Sequence, residues 1–135
     1  MKKLAIAMAG VLVGGITQAD NLDGVTEMVC APAQAHICIE NDTCYSVTPA
    51  ELGIPDFVII DTRKKTVSTT KSSYQNRTTP FTSVSRNEGL IYLHGIEGER
   101  SFSFVIEEET GRMTVAVARD GISVSVFGAC TDTDL

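Results

Sequence analysis

Between Phe81 and Phe127 apolar and polar residues alternate, and the alternation restarts after each short glycine-containing break. Phe102, Phe104 and Ile106 share one parity, as do Met113, Val115 and Val117, and then Ile122, Val124 and Val126. The other parity carries Ser101, Ser103, Thr114, Ser123 and Ser125. Successive side chains of a strand point to opposite faces, so this pattern predicts strands with one core face and one wet face. Strands are expected at 81–86, 90–94, 101–106, 112–118 and 122–127, separated by 87–89, 95–99, 109–111 and 120–121. Each separator holds a glycine able to take the positive φ that tight hairpins need. This spacing predicts an all-β fold, a small antiparallel meander closing into a barrel or sandwich.

Upstream the signals are more varied. Residues 36–40 and 44–47 read as a hairpin turning at Asn41-Asp42. One short helical turn is expected over 48–53. Thr48 can cap it, Pro49 suits the first helical position, Glu51 can complete a capping box and Gly53 can end it. The run Phe57-Val58-Ile59-Ile60 is apolar without alternation, which predicts a strand buried on both sides or lying near a barrel seam. Residues 61–65 form a polar turn and 66–70 a threonine-rich return strand. Residues 71–80 show no apolar periodicity, and this segment is expected to be the mobile or functional loop.

The first residues change the picture. Met1-Lys2-Lys3, an apolar run from Leu4 to Ile16 and Thr17-Gln18-Ala19 together have the layout of a secretory signal peptide. A membrane anchor would need roughly 20 apolar residues, and this run ends too early. A lipoprotein is not expected, because Cys30 lies well past the run and follows Val29. Cleavage after Ala19 would leave residues 20–135 as a single disulfide-bonded β domain in the periplasm or outside the cell. With Lys2 and Lys3 removed the net charge would pass from −6 to −8. So acidic a chain argues against nucleic acid or anionic lipid as partners, and no later apolar segment is long enough to span a membrane.

Four cysteines in a chain bound for an oxidising compartment read as two disulfides, with three possible connectivities. The favoured pairs are Cys38–Cys44, across the short hairpin, and Cys30–Cys130, joining the first strand to the last. In the chain-entropy model the long loop contributes about 4.7 kcal/mol and the short one roughly 2.4 kcal/mol. Paired C-x-x-C spacing is absent, so no metal site is expected, and nothing in the chain calls for a cofactor.

Several pieces in order resemble a group of small, uncharacterised exported proteins of proteobacteria. They are Cys38-x5-Cys44, Pro55-Asp56-Phe57-Val58-Ile59-Ile60-Asp61 with Lys65 after it, Arg77-Thr78-Thr79-Pro80, Glu109-Thr110-Gly111-Arg112-Met113 and Phe127-Gly128-Ala129-Cys130-Thr131. The likeness covers most of residues 30–131. Such sequences often carry a tryptophan before the Thr-Gly-Arg-Met turn, where this chain has Phe102 or Phe104. The resemblance implies export and a β domain and transfers no catalytic residue. A looser likeness of architecture and compartment links the chain to periplasmic lysozyme inhibitors, whose inhibitory loop carries a Ser-Gly pair and an aromatic. Ser72-Ser73-Tyr74 approaches that loop but lacks the glycine.

Candidate chemistry is sparse. His36 and His94 are the only histidines, and no nucleophile motif accompanies them, so both read as ordinary strand-end residues. Glu107-Glu108-Glu109 reads as a solvated hairpin tip that opposes edge aggregation. Asn41-Asp42-Thr43 and Asn76-Arg77-Thr78 match the glycosylation acceptor pattern by chance in a chain with a bacterial type of signal. The segment from Lys71 to Thr79 is basic and polar in an acidic chain. Tyr74, Arg77 and Lys71 are its candidate binding residues, since aromatic and arginine side chains dominate binding hot spots. The function expected is that of an exported, non-enzymatic β domain that binds a protein or small ligand at the barrel mouth or the 71–80 loop. A carrier holding a small apolar molecule in the barrel is the alternative, and an unrecognised hydrolase is a further one.

Overall fold

The computed structural model describes residues 21–73 and 75–134. The expected signal peptide, residues 1–19, and Tyr74 lie outside them. Ten strands follow in order: β1 (Glu27–Ile39), β2 (Cys44–Val47), β3 (Val58–Asp61), β4 (Thr66–Thr69), β5 (Thr78–Pro80), β6 (Ser83–Asn87), β7 (Leu90–Glu97), β8 (Arg100–Glu107), β9 (Arg112–Arg119) and β10 (Ile122–Asp132). Two 3-10 turns, Pro49–Leu52 and Lys71–Ser73, interrupt them.

All pairings are antiparallel, and the strands make one curled sheet in the order β5-β4-β3-β1-β10-β9-β8-β7-β6. β2 pairs with β1 beyond the reach of β3. The meander from β6 to β10 forms as the alternation predicts, and the sheet curls into a half-barrel. Its two edge strands, β5 and β6, are linked only by Phe81 and Thr82. They do not pair with each other.

Residues of one parity fill the concave side. Met28, Ile60, Ile91, Leu93, Ile106 and Met113 are all but completely buried there. Burying each such side chain contributes about 1.5–3 kcal/mol. This core sits at the end of the half-barrel where the β8–β9 turn lies. Leu22, fully buried, plugs that end, its N–H donating to the carbonyl of Glu108 at 2.6 Å. Arg86 fastens the plug. Its guanidinium donates to the carbonyls of Leu22 and Val25 and pairs with Glu108 at 2.6 Å. The acidic run is therefore only partly a solvated tip, because Glu108 is an internal anchor and Glu107 pairs with Arg112. Glu109 is exposed.

Both disulfides form as the spacing suggested. Cys30 lies directly opposite Cys130 and Cys38 directly opposite Cys44, with Cα–Cα distances of 4.0 and 4.1 Å. The helical turn also matches: Thr48 caps it, with both halves of the capping box made to Glu51.

Three local expectations need correction. β1 begins at Glu27, well before residue 36, because Pro32 hides the strand in the sequence. The proline is accommodated at a bulge between Pro32 and Gln34, the kind of position where a strand tolerates a missing donor. There β10 approaches so closely that a Cβ at Gly128 would lie 2.3 Å from the Ala31 carbonyl oxygen. The run 57–60 is not buried on both sides. Phe57 precedes β3 and is 46% exposed, and of the run only Ile60 is fully buried, since no element among the described residues covers the outer face of the sheet. Finally, β7 runs on to Glu97, through Gly95, where the Phe102 ring occupies the space a side chain would take.

Candidate functional site

Above the packed core the same concave face continues but is not filled. Strands β8, β9 and β10 bring Phe102, Phe104, Val115, Val117, Val124 and Val126 inward, as their parity requires. Across the half-barrel stand Val58 of β3 and Val67 of β4, with Leu52, Ile54 and Pro55 beside them. The side chains of the two flanks are mostly valines, too short to meet across the open curl. They leave a cleft of about 530 Å³. This lies within the roughly 300–1,000 Å³ range of small-ligand pockets.

Aromatic packing shapes one wall. Phe81, Phe102 and Phe104 meet edge-to-face, with ring centroids 5.5 to 5.9 Å apart. Phe81 is buried, whereas Phe102 and Phe104 are half-buried and face the cleft. Met113 and Val126 extend the apolar lining toward the core.

The mouth is charged. Arg77, Glu97, Arg100 and Arg119 line it, with Ser68 and Thr69. Glu97, Arg100, Arg119 and Ile122 occupy successive positions of one cross-strand row, in which Arg100 and Arg119 are direct partners. Both arginines fall on the inward parity of their strands, two residues beyond Phe102 and Val117. Like charges directly opposite each other destabilise a sheet. The ion pairs among the described residues are Arg86–Glu108 and Arg112–Glu107, neither of them at the mouth. Glu97 spends one carboxylate oxygen on Thr79, whose hydroxyl donates at 2.8 Å and so ties the β5 flank to the end of β7. Thr79 is the buried polar residue of the described chain.

The loop residues singled out from the sequence separate. Arg77 reaches the mouth of the cleft and is held by its backbone, its N–H donating to Thr69 Oγ1 at 3.0 Å and its carbonyl accepting from Thr69 N–H at 3.0 Å. Lys71 is exposed on the 3-10 turn and is not part of the lining. Tyr74 lies outside the described residues. Arg63, Lys64 and Lys65 sit in the β3–β4 turn, at the opposite end of β4 from Arg77.

Both histidines stand on the outer face, in one cross-strand row with Ser103, Ala116, Ser125 and Ser46. Ser46 Oγ lies 3.2 Å from His36 Nδ1, and Ser103 Oγ lies 3.1 Å from His94 Nδ1. Among the described residues neither ring is hydrogen-bonded to a carboxylate, so no oriented Ser–His–acid array forms. No group of three or more His, Cys, Asp or Glu side chains among the described residues is placed to hold a metal ion.

Sequence reasoning missed Arg100, Arg119 and Glu97. The signal was present, since Arg100 continues the parity of Phe102, Phe104 and Ile106, and Arg119 that of Met113, Val115 and Val117. A charge on the core parity at a strand end marks where that face meets water. No family model, no curated protein and no solved structure matches the chain.

Proposed function

We propose that this chain is a non-enzymatic binding protein that holds a small, largely apolar molecule in the cleft of its half-barrel. The observation that carries the reading is the unfilled stretch of the concave face. Residues whose alternation marks them as core, Phe102, Phe104, Val117 and Val124 among them, are only partly buried around about 530 Å³ of open volume. Apolar surface left in contact with water is unfavourable by about 25 cal/mol per Å², and a fitted apolar guest recovers that free energy. The framework supports a preformed site, since two disulfides cross-link the middle of the sheet at β1 and a hydrogen bond from Thr79 to Glu97 ties the β5 flank to β7.

The layout of residues 1–19 and the two disulfides favour an oxidising compartment, the periplasm or the exterior, as the place of action. Among the described residues no helix is long and apolar enough to cross a membrane. Arg77, the loop residue that stands at the mouth, joins the loop to the cleft as one site.

The test is titration of the mature protein with a neutral naphthylamine fluorophore that brightens in apolar surroundings. Wild type should bind it saturably, and Val117→Trp, which fills the cleft from one wall, should weaken binding by more than tenfold while still folding. Absence of saturable binding to wild type, or equal binding to the tryptophan variant, would remove the cleft as the site.

A further inference from the structure

We infer that the guest of the cleft is a single-chain amphiphile with an anionic head. Its apolar body lies against Phe102, Phe104 and Val117, and its head meets Arg100 and Arg119 at the mouth. This rests on the cleft being the binding site.

Polarity changes along the cleft in one direction. Inward positions on a strand recur every two residues, about 6.6 Å apart. One such step up β8 leads from Phe102 to Arg100, and one step up β9 leads from Val117 to Arg119. An apolar chain lying along the strands thus ends at a guanidinium on either one. The two guanidinium-bearing positions are direct partners across the sheet. With a third arginine, Arg77, at the same mouth and a single carboxylate, Glu97, the local balance is positive.

That balance runs against the chain as a whole, whose formal net charge is −6. The average charge argues against anionic partners, and the mouth is where the average fails to describe the surface. Two like charges held face to face cost stability unless an anion lies between them. Both are arginines, whose planar forks can each grip an oxyanion head by two parallel hydrogen bonds. Glu97 forms an ion pair with neither arginine among the described residues, and its single carboxylate cannot balance the two guanidiniums that share its cross-strand row.

Volume sets the size of the tail. At about 30 Å³ per water-sized group, the cleft accommodates on the order of 15 non-hydrogen atoms. That is enough to cover one medium alkyl chain.

The experiment is displacement of the neutral fluorophore from the mature protein by dodecanoate, dodecanol, dodecylamine and acetate. Dodecanoate should displace it at about a tenfold lower concentration than dodecanol, dodecylamine should be the weakest of the three long chains, and acetate should not displace it. In the double variant R100Q/R119Q the ratio of acid to alcohol should fall to about one. Equal displacement by acid and alcohol in wild type overturns the inference while leaving the cleft reading intact. So does an acid preference that survives the double variant. Displacement by acetate also overturns it, since a bare anion site needs no tail. Failure of the fluorophore to bind wild type at all removes both readings. The wild-type ratio stands as a measurement even if the double variant proves unstable.

Discussion

Gly95 of β7 faces Phe102 of β8 so closely that a β-carbon at Gly95 would lie 2.5 Å from Cζ of the ring. The far end of the ring therefore covers the backbone of the neighbouring strand. Gly95→Ala must push the ring away, and it is hemmed in by Phe81 at 5.7 Å and Phe104 at 5.9 Å. Overpacking of this kind typically costs about 1–3 kcal/mol. The displaced ring has the cleft to move into. Thermal unfolding of Gly95→Ala should show a lower midpoint, and affinity for an apolar probe should fall with it. An unchanged midpoint together with unchanged probe affinity would show that the contact does not shape the cleft.

The two disulfides should differ in weight. Cys30 and Cys130 are separated by 100 residues and are both buried, whereas Cys38 and Cys44 are separated by 6 and Cys44 is exposed. Loop entropy alone makes the long bridge worth about 2 kcal/mol more than the short one. In urea titrations the variant C30A/C130A should lose clearly more unfolding free energy than C38A/C44A. The reverse order would mean that the reduced chain already keeps its first and last strands together.

Arg86 should prove an internal fastener rather than a surface charge. Its guanidinium serves two carbonyls and one carboxylate, and the carboxylate side chain of Glu108 is only 13% exposed. Hydrogen bonds to charged groups are worth roughly 1.5–3 kcal/mol each, less where water still reaches them. Arg86→Met keeps most of the aliphatic stem and removes the donors. Amide exchange at Leu22 and Val25 should speed up by at least about tenfold relative to strands β8 and β9. Equal acceleration everywhere would point to a global loss of stability instead.

At Glu51 the sign of a pH effect can be worked out. The backbone N–H of Thr48, and then its hydroxyl, donate to the Glu51 carboxylate and hold it below the ordinary value of 4.5. A lowered folded-state value means the contribution is fully present above the unfolded value and is lost as pH falls through the folded one. The stability gap between wild type and Glu51→Gln should therefore be constant near neutrality and shrink in acid below 4.5. Melting curves across that range decide it, and a gap that grows toward acid would contradict the capping-box geometry.

How much of this was legible in the sequence varies by element. The parity of Phe102, Val115 and Val124 is local information, and it gave the strands of the meander and their inward faces, though not which inward residues are fully buried. Thr48 and Glu51 are close in the chain, so their box was readable as well. Pro32 hid the first half of β1, because a bulge depends on what the partner strand does at Gly128. The cleft was not legible at all. Whether Val117 meets Val67 depends on how far nine strands curl together, and no local pattern fixes that sum. Arg77 could be picked for its residue type, but its meeting with Arg100 and Arg119 required the fold.

The Cys30–Cys130 pair joins two strands that neighbour each other in the middle of the sheet, not at its rim. Their side-by-side pairing is the most extensive in the sheet, running from Met28 and Asp132 to Ile39 and Ile122. The centre of the molecule is thus made from the first and the last strand to be synthesised. A chain that emerges N-terminal end first cannot assemble this centre as it appears, and must wait until β10 is available. Folding governed by such distant pairing is slow, on the millisecond-to-second scale, and the unfinished meander β6 to β9 stands meanwhile with an open edge along β9. Closing the centre of the sheet is by this topology a terminal event of folding rather than a step in a progression along the chain.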